Sequence, residues 1–442
     1  MTTPAQCSGW TLKRSLGTFH FALAFTCVLV AVTMPGAQAQ TFTVIHNFAG
    51  YPDGAQPAAG LAMDRAGNLY GTTQYGGDSN CSNLDRLPGG GGPPPGCGVV
   101  FKMKPAGSGW VESLLYIFQG SLQGQVTWYP ENVVVGPNGS LYGTTDEGGT
   151  NENGTLFNVR PGPTRPVSVT APWQYNLLYR FTNSDGDNPT HAGRLIFDSA
   201  GNIYGTTRYG GTSNYGTVYE MTSSNGEWTD TILYSFTNGT DGSQPANVVF
   251  DQAGNLYGAA TYGGGNTNCG FNYGCGTIFE LTPTQSGWTE TTLHVFQQGV
   301  DGGWPGAIIR DAAGNLYGMA ANNGPDNGGT VWELSPSDGG WTFSVLYSFP
   351  TQIIDNFGPY APTLDSAGNL YGITSWGGAN NSGQVFKLTP GNGHWTFTNL
   401  HDFDNSGCYG QGAPVLDASG NIYGMTEYCG PNDLGTVWEI TP

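Results

Sequence analysis

The sequence predicts an all-β fold, a single seven-bladed β-propeller with four antiparallel strands in each blade. Three observations lead to this prediction. A motif of the type Asn-Leu-Tyr-Gly-Thr-Thr occurs seven times, each copy has the same strand-like neighbours, and the fourth strand of the last repeat is found at the opposite end of the chain. Self-similarity at such a period is the signature of a repeat architecture, in which neighbouring units bury one another.

The tyrosine motif sets the phase of the repeat, and we refer to it as strand B. Successive copies lie 72, 62, 53, 60, 54 and 52 residues apart, measured between their tyrosines. These tyrosines are Tyr70, Tyr142, Tyr204, Tyr257, Tyr317, Tyr371 and Tyr423. Glycine contributes 72 residues and aromatic residues make up 13% of the chain, a mixture that suits many short strands joined by tight turns.

Three other segments recur around strand B. Strand A is a short apolar run that ends in Asp, as at residues 195–198, and strand C runs from a Gly through β-branched and aromatic residues, as at 216–220. Strand D extends from a Trp to a Phe, as at 228–236. An Asp-x-x-Gly-Asn sequence joins A to B, which predicts a tight turn in which the Asp bonds to its own backbone. A calcium role is the alternative, but calcium loops need denser oxygen ligands.

The count of strands predicts how the ring closes. Strands A, B and C occur seven times, whereas strand D follows C only six times before the chain ends at Pro442. Residues 41–48 match the pattern of strand D at 341–349, so we expect the N-terminal strand to complete the last blade. Closure removes the exposed strand edges that an open array would leave. A β-solenoid or an open sandwich would not need this arrangement.

The repeats also resemble a known family. Asn-Leu-Tyr-Gly-Thr-Thr, then Gly-Gly, then Gly-Thr-Val-Phe-Lys-Leu-Thr-Pro is similar to the GloVer tandem repeat of secreted bacterial proteins described as "choice-of-anchor". The resemblance covers about residues 41–442. It implies export and often a C-terminal sorting tail, but this chain ends in strand C without an apolar tail, so we expect release rather than anchoring. The resemblance implies no activity and no catalytic residues.

The N-terminus predicts export. Lys13 and Arg14 form a basic region, residues 19–34 are an apolar run, and Ala37-Gln38-Ala39 is a small-residue cleavage site. We therefore expect residues 1–39 to be a secretory signal peptide and 40–442 to be the propeller, secreted or periplasmic. A membrane anchor is the alternative, although the run is short for a full span and Pro35-Gly36 interrupts it. After cleavage we expect no membrane span.

Charge narrows the classes of partner. The chain carries 13 Lys and Arg against 32 Asp and Glu, a formal net charge of −19. Such a surface repels nucleic-acid phosphates and anionic lipids, so neither is an expected partner. We expect a monomer that needs no cofactor.

Six cysteines remain after the predicted cleavage, and in an oxidising compartment an even number favours disulfides over zinc. We predict the pairs Cys81–Cys97, Cys269–Cys275 and Cys408–Cys429 and no metal site, because there is no CxxC spacing. In a propeller the D-to-A and B-to-C connections share one face, which we call the loop face, and all six cysteines belong to it. The staples predict a rigid, shaped surface there. Protection of long loops from proteolysis is the alternative.

A ring of candidate ligand contacts stands at the end of strand B on the loop face. Five residues after the repeat tyrosine most blades carry an aromatic residue, and the preceding position is variable and polar. The candidates for ligand binding are Tyr75, Arg208, Tyr209, Tyr262, Asn322, Trp376 and Tyr428, together with Trp128 and Trp304 in D-to-A loops. Aromatic faces beside carboxylates and amides are what a sugar-binding surface uses. Packing between blades is the alternative, since it would produce the same regularity.

Function follows from the sequence only in outline. The first hypothesis is a binding module for an extracellular carbohydrate or other polymer. The second is a polysaccharide-active hydrolase or lyase, for which Asp146, Glu147 and Glu427 are the candidate catalytic carboxylates. The third is a scaffold for protein partners. Whether the protein is an enzyme stays open. A second set of aspartates, each four residues before a Pro in the D-to-A loop, is expected to cap those loops: Asp53, Asp185, Asp241, Asp301 and Asp355.

Overall fold

The protein is represented by a computed structural model, and residues 40–442 form one unit within it. The structure describes residues 40–57, 59–78, 81, 96–119, 127–149, 151–162, 173–189, 194–265, 269, 273–350, 361–404 and 408–442. The predicted signal peptide, residues 1–39, lies outside them. The described residues are all strand, turn and loop, and none forms a helix that could cross a membrane.

Thirty strands in the described residues form seven separate antiparallel sheets, one for each blade, which confirms the predicted propeller. Blades 1 to 3 contain β2 (Gly54–Pro57), β3 (Ala62–Met63), β4 (Leu69–Gly76), β5 (Val99–Ala106) and β6 (Gly109–Ile117); β7 (Thr127–Val135), β8 (Leu141–Gly148), β9 (Thr155–Pro161) and β10 (Trp173–Arg180); and β11 (Asp187–Pro189), β12 (Ile196–Phe197), β13 (Ile203–Tyr209), β14 (Thr217–Ser224) and β15 (Glu227–Ser235).

Blades 4 to 7 follow the same order along the chain, and the last of them takes in the N-terminal strand. They contain β16 (Ser243–Phe250), β17 (Leu256–Tyr262), β18 (Thr277–Thr284) and β19 (Gly287–Val295); β20 (Gly303–Arg310), β21 (Leu316–Asn322), β22 (Thr330–Ser337) and β23 (Gly340–Ser348); β24 (Thr363–Leu364), β25 (Leu370–Thr374), β26 (Gln384–Pro390) and β27 (Trp395–Asp402); and β28 (Gly410–Leu416), β29 (Ile422–Thr426) and β30 (Thr436–Thr441) with β1 (Thr41–Asn47).

The N-terminal strand closes the ring as predicted. β1 pairs antiparallel with β30, from Thr41 opposite Thr441 to Asn47 opposite Thr436. Phe48, directly after β1, is 1% exposed and its ring contacts Phe101 of blade 1 at a centroid distance of 5.3 Å. The segment of β1 and Phe48 therefore completes blade 7 and also packs against blade 1.

The Tyr-Gly pair of strand B has a packing cause. In blade 1 a Cβ atom on Gly71 would lie 2.5 Å from the ring of Phe101 in strand C, and in blade 5 one on Gly318 would lie 2.3 Å from Trp332. The large strand C aromatic therefore occupies the space that any side chain on strand B would need. This contact recurs in the other blades and explains why the glycine repeats with the tyrosine.

The A-to-B turns have the predicted chemistry. Asp198 Oδ1 accepts hydrogen bonds from the backbone amides of Ala200 (2.8 Å) and Asn202 (2.9 Å), and its Oδ2 accepts one from the Asn202 side chain. In blade 2 Gly136 stands where the other blades have Asp, and Asn138, two residues later, accepts from the Ser140 amide through its Oδ1 at 3.0 Å. These aspartates therefore fix the turns.

Strand A is longer than the predicted apolar run. In blades 1 and 3 it is split in two, because β2 and β3 both pair with β4, and β11 and β12 both pair with β13. In blade 4 a single strand, β16, pairs with β17 across a shift of register between Pro245 and Val248. The additional half-strand lies towards the loop face, where it supplies part of the candidate site.

Candidate functional site

Three disulfides lie on the loop face, with the pairing that the sequence predicted. Cys81 is joined to Cys97, Cys269 to Cys275 and Cys408 to Cys429. The third joins a D-to-A loop to the B-to-C loop of the same blade. Beside it the amide of Tyr428 donates to the Cys408 carbonyl at 3.2 Å, and that of Glu427 donates to the Tyr409 carbonyl at 3.0 Å. This staple therefore aligns two stretches that carry candidate site residues.

A ring of residues with left-handed backbone conformation defines the site, and the sequence did not predict it. At the start of strand A, six blades place a residue other than glycine in the left-handed region, with φ between 41° and 60°. These residues are Gln56, Tyr129, Asn188, Gln244, Trp304 and Tyr409. Such a conformation is uncommon without glycine and tends to occur at functional positions. The only signal in the sequence is that five of the six directly precede a proline.

Hydrogen bonds from the preceding blade hold this conformation. The amide of Gln244 donates to the Tyr215 carbonyl at 2.8 Å, and that of Trp304 donates to the Cys275 carbonyl at 2.9 Å. In both cases the acceptor belongs to the B-to-C loop of the blade before. The left-handed residue is thus part of an inter-blade contact, and its side chain is directed by two blades together.

Five of these six left-handed side chains contact the end of strand B in the preceding blade. Asp146 Oδ1 accepts from Asn188 Nδ2 at 2.7 Å, and Arg208 Nε donates to Gln244 Oε1 at 3.0 Å. Three other interfaces use aromatic pairs: Tyr75 with Tyr129, Tyr262 with Trp304, and Trp376 with Tyr409. The predicted ring and the left-handed ring therefore form one surface.

Five aromatic residues form what we call the first aromatic cluster, which extends over blades 6, 7, 1 and 2. Trp376 contacts Tyr409 at a centroid distance of 5.0 Å, and Tyr409 contacts Tyr428 at 5.9 Å. Tyr75 contacts Tyr129 at 5.3 Å, and its phenol lies within electrostatic reach of Tyr428. All five side chains are half-buried, so one part of each packs and another part meets solvent.

Glu427 is the charged residue of this cluster. Its Oε2 accepts a hydrogen bond from Gln411 Nε2 at 2.8 Å. Burial, with an added contribution from the charge of Glu427, raises the pKa of Tyr428, and burial with Tyr129 and Tyr428 as neighbours raises that of Tyr75. Both phenols are therefore neutral hydrogen-bonding groups beside a carboxylate and a carboxamide.

The second aromatic cluster, Tyr209, Tyr262, Tyr273 and Trp304, lies over blades 3 to 5. Tyr262 contacts Tyr273 at 5.5 Å and Trp304 at 6.2 Å, and the guanidinium of Arg208 lies 5.3 Å from the ring of Tyr209. Burial, offset in part by Arg208, raises the pKa of Tyr262 to about 12.

Burial separates these candidates. Tyr262 is 9% and Trp304 is 4% exposed, so the packing alternative applies to these two, whereas Tyr209 and Arg208 are half-buried. Tyr262 and Trp304 are therefore placed to support a ligand surface, and Tyr209 and Arg208 to form part of it.

The remaining predicted residues occupy the positions between the clusters. Asp146 and Glu147 end strand B in blade 2 and Asn322 ends it in blade 5, all half-buried. Asp146 is engaged with Asn188 of blade 3, while Glu427 is engaged within blade 7. The two candidate carboxylates thus belong to blades that are separated by blade 1. Trp128 lies opposite Glu147 in the β7–β8 ladder, but its side chain lies outside the described residues.

The second set of aspartates caps the D-to-A loops as expected. Asp185 accepts from the Thr182 amide at 2.7 Å, and Asp301 accepts from the Gln297 amide at 2.6 Å. Asp53 and Asp241 make equivalent bonds, and Asp355 lies outside the described residues. The same carboxylates also accept from a Tyr or His of strand D, as Asp185 does from the Tyr179 hydroxyl at 2.8 Å.

Two groups of described residues bring three potential metal ligands within 4.8 Å of one another. In one, Asp404, Cys408 and Cys429, the sulfur atoms are joined in a disulfide. The other consists of His46, Asp53 and Glu112, one imidazole and two carboxylates. His46 Nε2 lies 3.2 Å from Asp53, in the place that Tyr179 has beside Asp185. We therefore assign this group to the packing that repeats between blades.

A buried carboxylate also belongs to the wall beneath the first aromatic cluster. Glu131 is 1% exposed, two residues after Tyr129, and its Oε1 accepts from Gln74 Nε2 at 3.3 Å. Its backbone carbonyl accepts from the Thr72 hydroxyl. No signal in the sequence singles out Glu131, because it follows Pro130 in a segment that does not resemble a strand.

The family model described as the Gloeobacter/Verrucomicrobia repeat matches residues 89–271 and 265–442. No curated protein matches the chain. Three solved structures illustrate the structural similarity. The extracellular domain of a proposed one-component system from B. thetaiotaomicron is 13% identical, with a TM-score of 0.51; the match covers 91% of this chain and 41% of that one.

The other two structures are a gluconolactonase from Xanthomonas campestris and a proposed oxidoreductase (glucose dehydrogenase) from Thermus thermophilus. The first is 11% identical over 72% of this chain and 87% of that one, with a TM-score of 0.40. The second is 12% identical over 91% and 99%, with a TM-score of 0.43. At these identities the similarity to all three structures concerns the fold alone.

Proposed function

The chain belongs to the Gloeobacter/Verrucomicrobia repeat family, and from this premise and the geometry of its loop face we propose that it is a secreted β-propeller that binds an extracellular polysaccharide. The observation that carries the proposal is the first aromatic cluster. Trp376, Tyr409, Tyr428, Tyr75 and Tyr129 form a half-buried aromatic arc across four blades. An arc of this extent suits several sugar rings in succession.

The polar groups beside the arc supply the other half of sugar recognition. Glu427 and Gln411 stand next to Tyr428, and neutral phenols add both donors and acceptors. A few fixed polar groups beside aromatic faces form the general pattern of small-molecule sites. The disulfide at Cys408 and Cys429 holds two stretches of the arc in place, so little ordering is needed when a ligand binds.

Export is supported by the pairing of the cysteines. Six cysteines form three disulfides, and such bonds persist in oxidising compartments outside the cytosol. Together with the predicted signal peptide at residues 1–39, this favours a secreted or periplasmic protein. Extracellular carbohydrates are accessible to a protein in that location.

Binding is favoured over hydrolysis by the state of the carboxylates. Glycoside hydrolysis uses two carboxyl groups on either side of the bond, at a separation of about 5–9.5 Å. Asp146 accepts from Asn188 of blade 3 and Glu427 accepts from Gln411 of its own blade, so the two carboxylates belong to separate hydrogen-bonded contacts in blades 2 and 7.

The test is a glycan array probed with residues 40–442. We expect saturable binding to one class of glycan, lost in Trp376→Ala and reduced in Tyr209→Ala. The control is Tyr51→Ala, since Tyr51 is 62% exposed and belongs to neither aromatic cluster. Turnover of a bound glycan that stops in Glu427→Gln would favour the polysaccharide-active enzyme instead. No binding to any glycan would reject the proposal and leave the scaffold for protein partners.

A further inference from the structure

A cavity of about 180 Å³ lies between the A strands of the blades, away from the aromatic clusters. Six of the residues that line it share one structural position, four residues before the A-to-B turn. That position is polar in three successive blades, at Asn132, Arg194 and Asn247, and small in others, at Ala307, Ala361 and Ala413. The cavity therefore has one polar side and one side of small apolar residues.

Arg194 supplies the only positive charge among the residues that line the cavity. Its side chain is exposed by area because it faces the cavity, yet protein surrounds it closely enough that burial lowers the pKa of its guanidinium. An arginine remains charged even so. A cation therefore faces the cavity at a place that a ligand can reach.

The described residues leave this charge without a counter-ion. Arg194 Nη2 donates to the Leu61 carbonyl of blade 1 at 2.8 Å, and no described carboxylate lies within ion-pair distance of it. A neutral carbonyl fixes the guanidinium but does not balance its charge. Because no described carboxylate balances this charge, the cavity favours an anion that would pair with it.

The neighbouring groups indicate what kind of anion fits. Asn247 is not available to a ligand in full, since Nδ2 donates to the Ile308 carbonyl at 3.0 Å and Oδ1 accepts from the Ile308 amide at 2.8 Å. It holds the wall. The cavity is also lined by the apolar side chains of Ile196, Val249 and Ile309. An inorganic anion would lose water molecules on entering and would gain no favourable contact with these side chains.

We propose that this axial cavity binds a small organic carboxylate, with the carboxylate on the Arg194 guanidinium and the carbon body against the apolar side. Arginine presents parallel N–H groups that match a carboxylate in a two-point contact. The volume slightly exceeds the roughly 150 Å³ that holds a benzene-sized molecule, so the ligand is small. This site is separate from the loop face and does not depend on the proposed glycan binding.

The test is calorimetric titration of residues 40–442, at fixed ionic strength and pH 7, with sodium acetate, lactate, benzoate and glucuronate. Benzamide serves as a neutral isostere of benzoate, and sodium phosphate and chloride as inorganic anions. We expect one saturable site for at least one carboxylate, at least tenfold weaker binding of the amide, and at least tenfold weaker binding in Arg194→Met. Arg65→Met, at an exposed turn arginine, is the matched control.

Arg194→Lys keeps the charge and guards against a folding defect: it should bind better than Arg194→Met at an unchanged unfolding temperature. The proposal is overturned if no carboxylate saturates, if Arg194→Met binds as the unmodified chain does, or if phosphate or chloride alone binds. Loss of glycan binding in Trp376→Ala with carboxylate binding retained would show that the two sites are distinct.

Discussion

Val44 in the first strand lies opposite Trp438 in the last strand, in the antiparallel ladder of β1 with β30. The pairing means that the first and last strands of the described residues share one sheet. A propeller closed in this way has no free strand edge at the seam, and unfolding of the N-terminal strand opens both blade 7 and its contact with blade 1. The stability of the propeller therefore depends on the short segment, β1 and Phe48, that closes the ring.

The closing segment gives the first prediction. Phe48→Ala should lower the free energy of unfolding by about 3–5 kcal/mol, because the Phe48 ring is buried against Phe101 of the neighbouring blade. Val44→Ala is the control in the same segment, since Val44 is 40% exposed, and should cost about 1 kcal/mol or less. Denaturant unfolding measures both. Equal losses in the two variants would mean that the segment does not hold the seam.

The A-to-B turn gives the second prediction. Asp198→Ala should destabilise the protein by about 1–2 kcal/mol, because two backbone amides lose their acceptor. Asp198→Asn should recover most of the loss, since a carboxamide oxygen also accepts hydrogen bonds from backbone amides, as Asn138 does in the blade 2 turn. Thermal unfolding of the three proteins tests this. If the asparagine variant is as unstable as the alanine variant, charge and not geometry is what the turn requires.

Asp230 gives the third prediction, a dependence of stability on pH. Burial, with a smaller contribution from the charge of Asp185, raises the pKa of Asp230 to about 7. In the unfolded chain the same group loses its proton near pH 4. The folded protein therefore binds the extra proton between these values, and the stability from this group is present in acid and lost as the pH rises from about 4 through 7.

Asp230→Asn should remove this dependence of stability on pH, because a carboxamide does not titrate between pH 4 and pH 8. We expect its unfolding temperature to change less between pH 5 and pH 8 than that of the unmodified protein, with the variant relatively more stable at pH 8. Glu227→Gln, at an exposed position three residues away, is the control and should keep the original slope. A slope in Asp230→Asn that matches the control would show that Asp230 does not titrate in this range.

The Cys408–Cys429 disulfide gives the fourth prediction and separates a shaped surface from mere protection of loops. Replacing both cysteines by serine should lower stability by about 2–4 kcal/mol and also weaken glycan binding about tenfold, because Tyr409 and Tyr428 lose their alignment. Replacing Cys269 and Cys275 is the comparison, since that staple supports the second aromatic cluster. A loss of protease resistance with unchanged glycan affinity would favour protection alone.

Much of the fold could be predicted because its signals are local. The Asp-x-x-Gly-Asn motif predicts a turn and the tyrosine motif predicts a strand. Counting these motifs gives the number of blades. The closing strand followed from the one missing copy of strand D. The half-strand Gly54–Pro57 was missed because a proline and a left-handed residue make it resemble a loop.

The site was less predictable because exposure depends on neighbours in another blade. Tyr75 and Tyr262 occupy the same repeat position and look equivalent in the sequence. Tyr262 is 9% exposed because it packs between Tyr273 and Trp304, whereas Tyr75 is half-buried beside Tyr129. Arg194 likewise looks like an ordinary surface arginine in the sequence, and only the closed ring of blades shows that it lines a cavity.

The most direct test of the account is calorimetric titration of residues 40–442 with the glycan that the array selects, for the unmodified chain, Trp376→Ala and Tyr51→Ala. We expect one binding isotherm shared by the unmodified chain and Tyr51→Ala, and at least tenfold weaker binding in Trp376→Ala, with all three unfolding at the same temperature. Equal affinity in all three proteins would contradict it, since the aromatic arc would then play no part in binding.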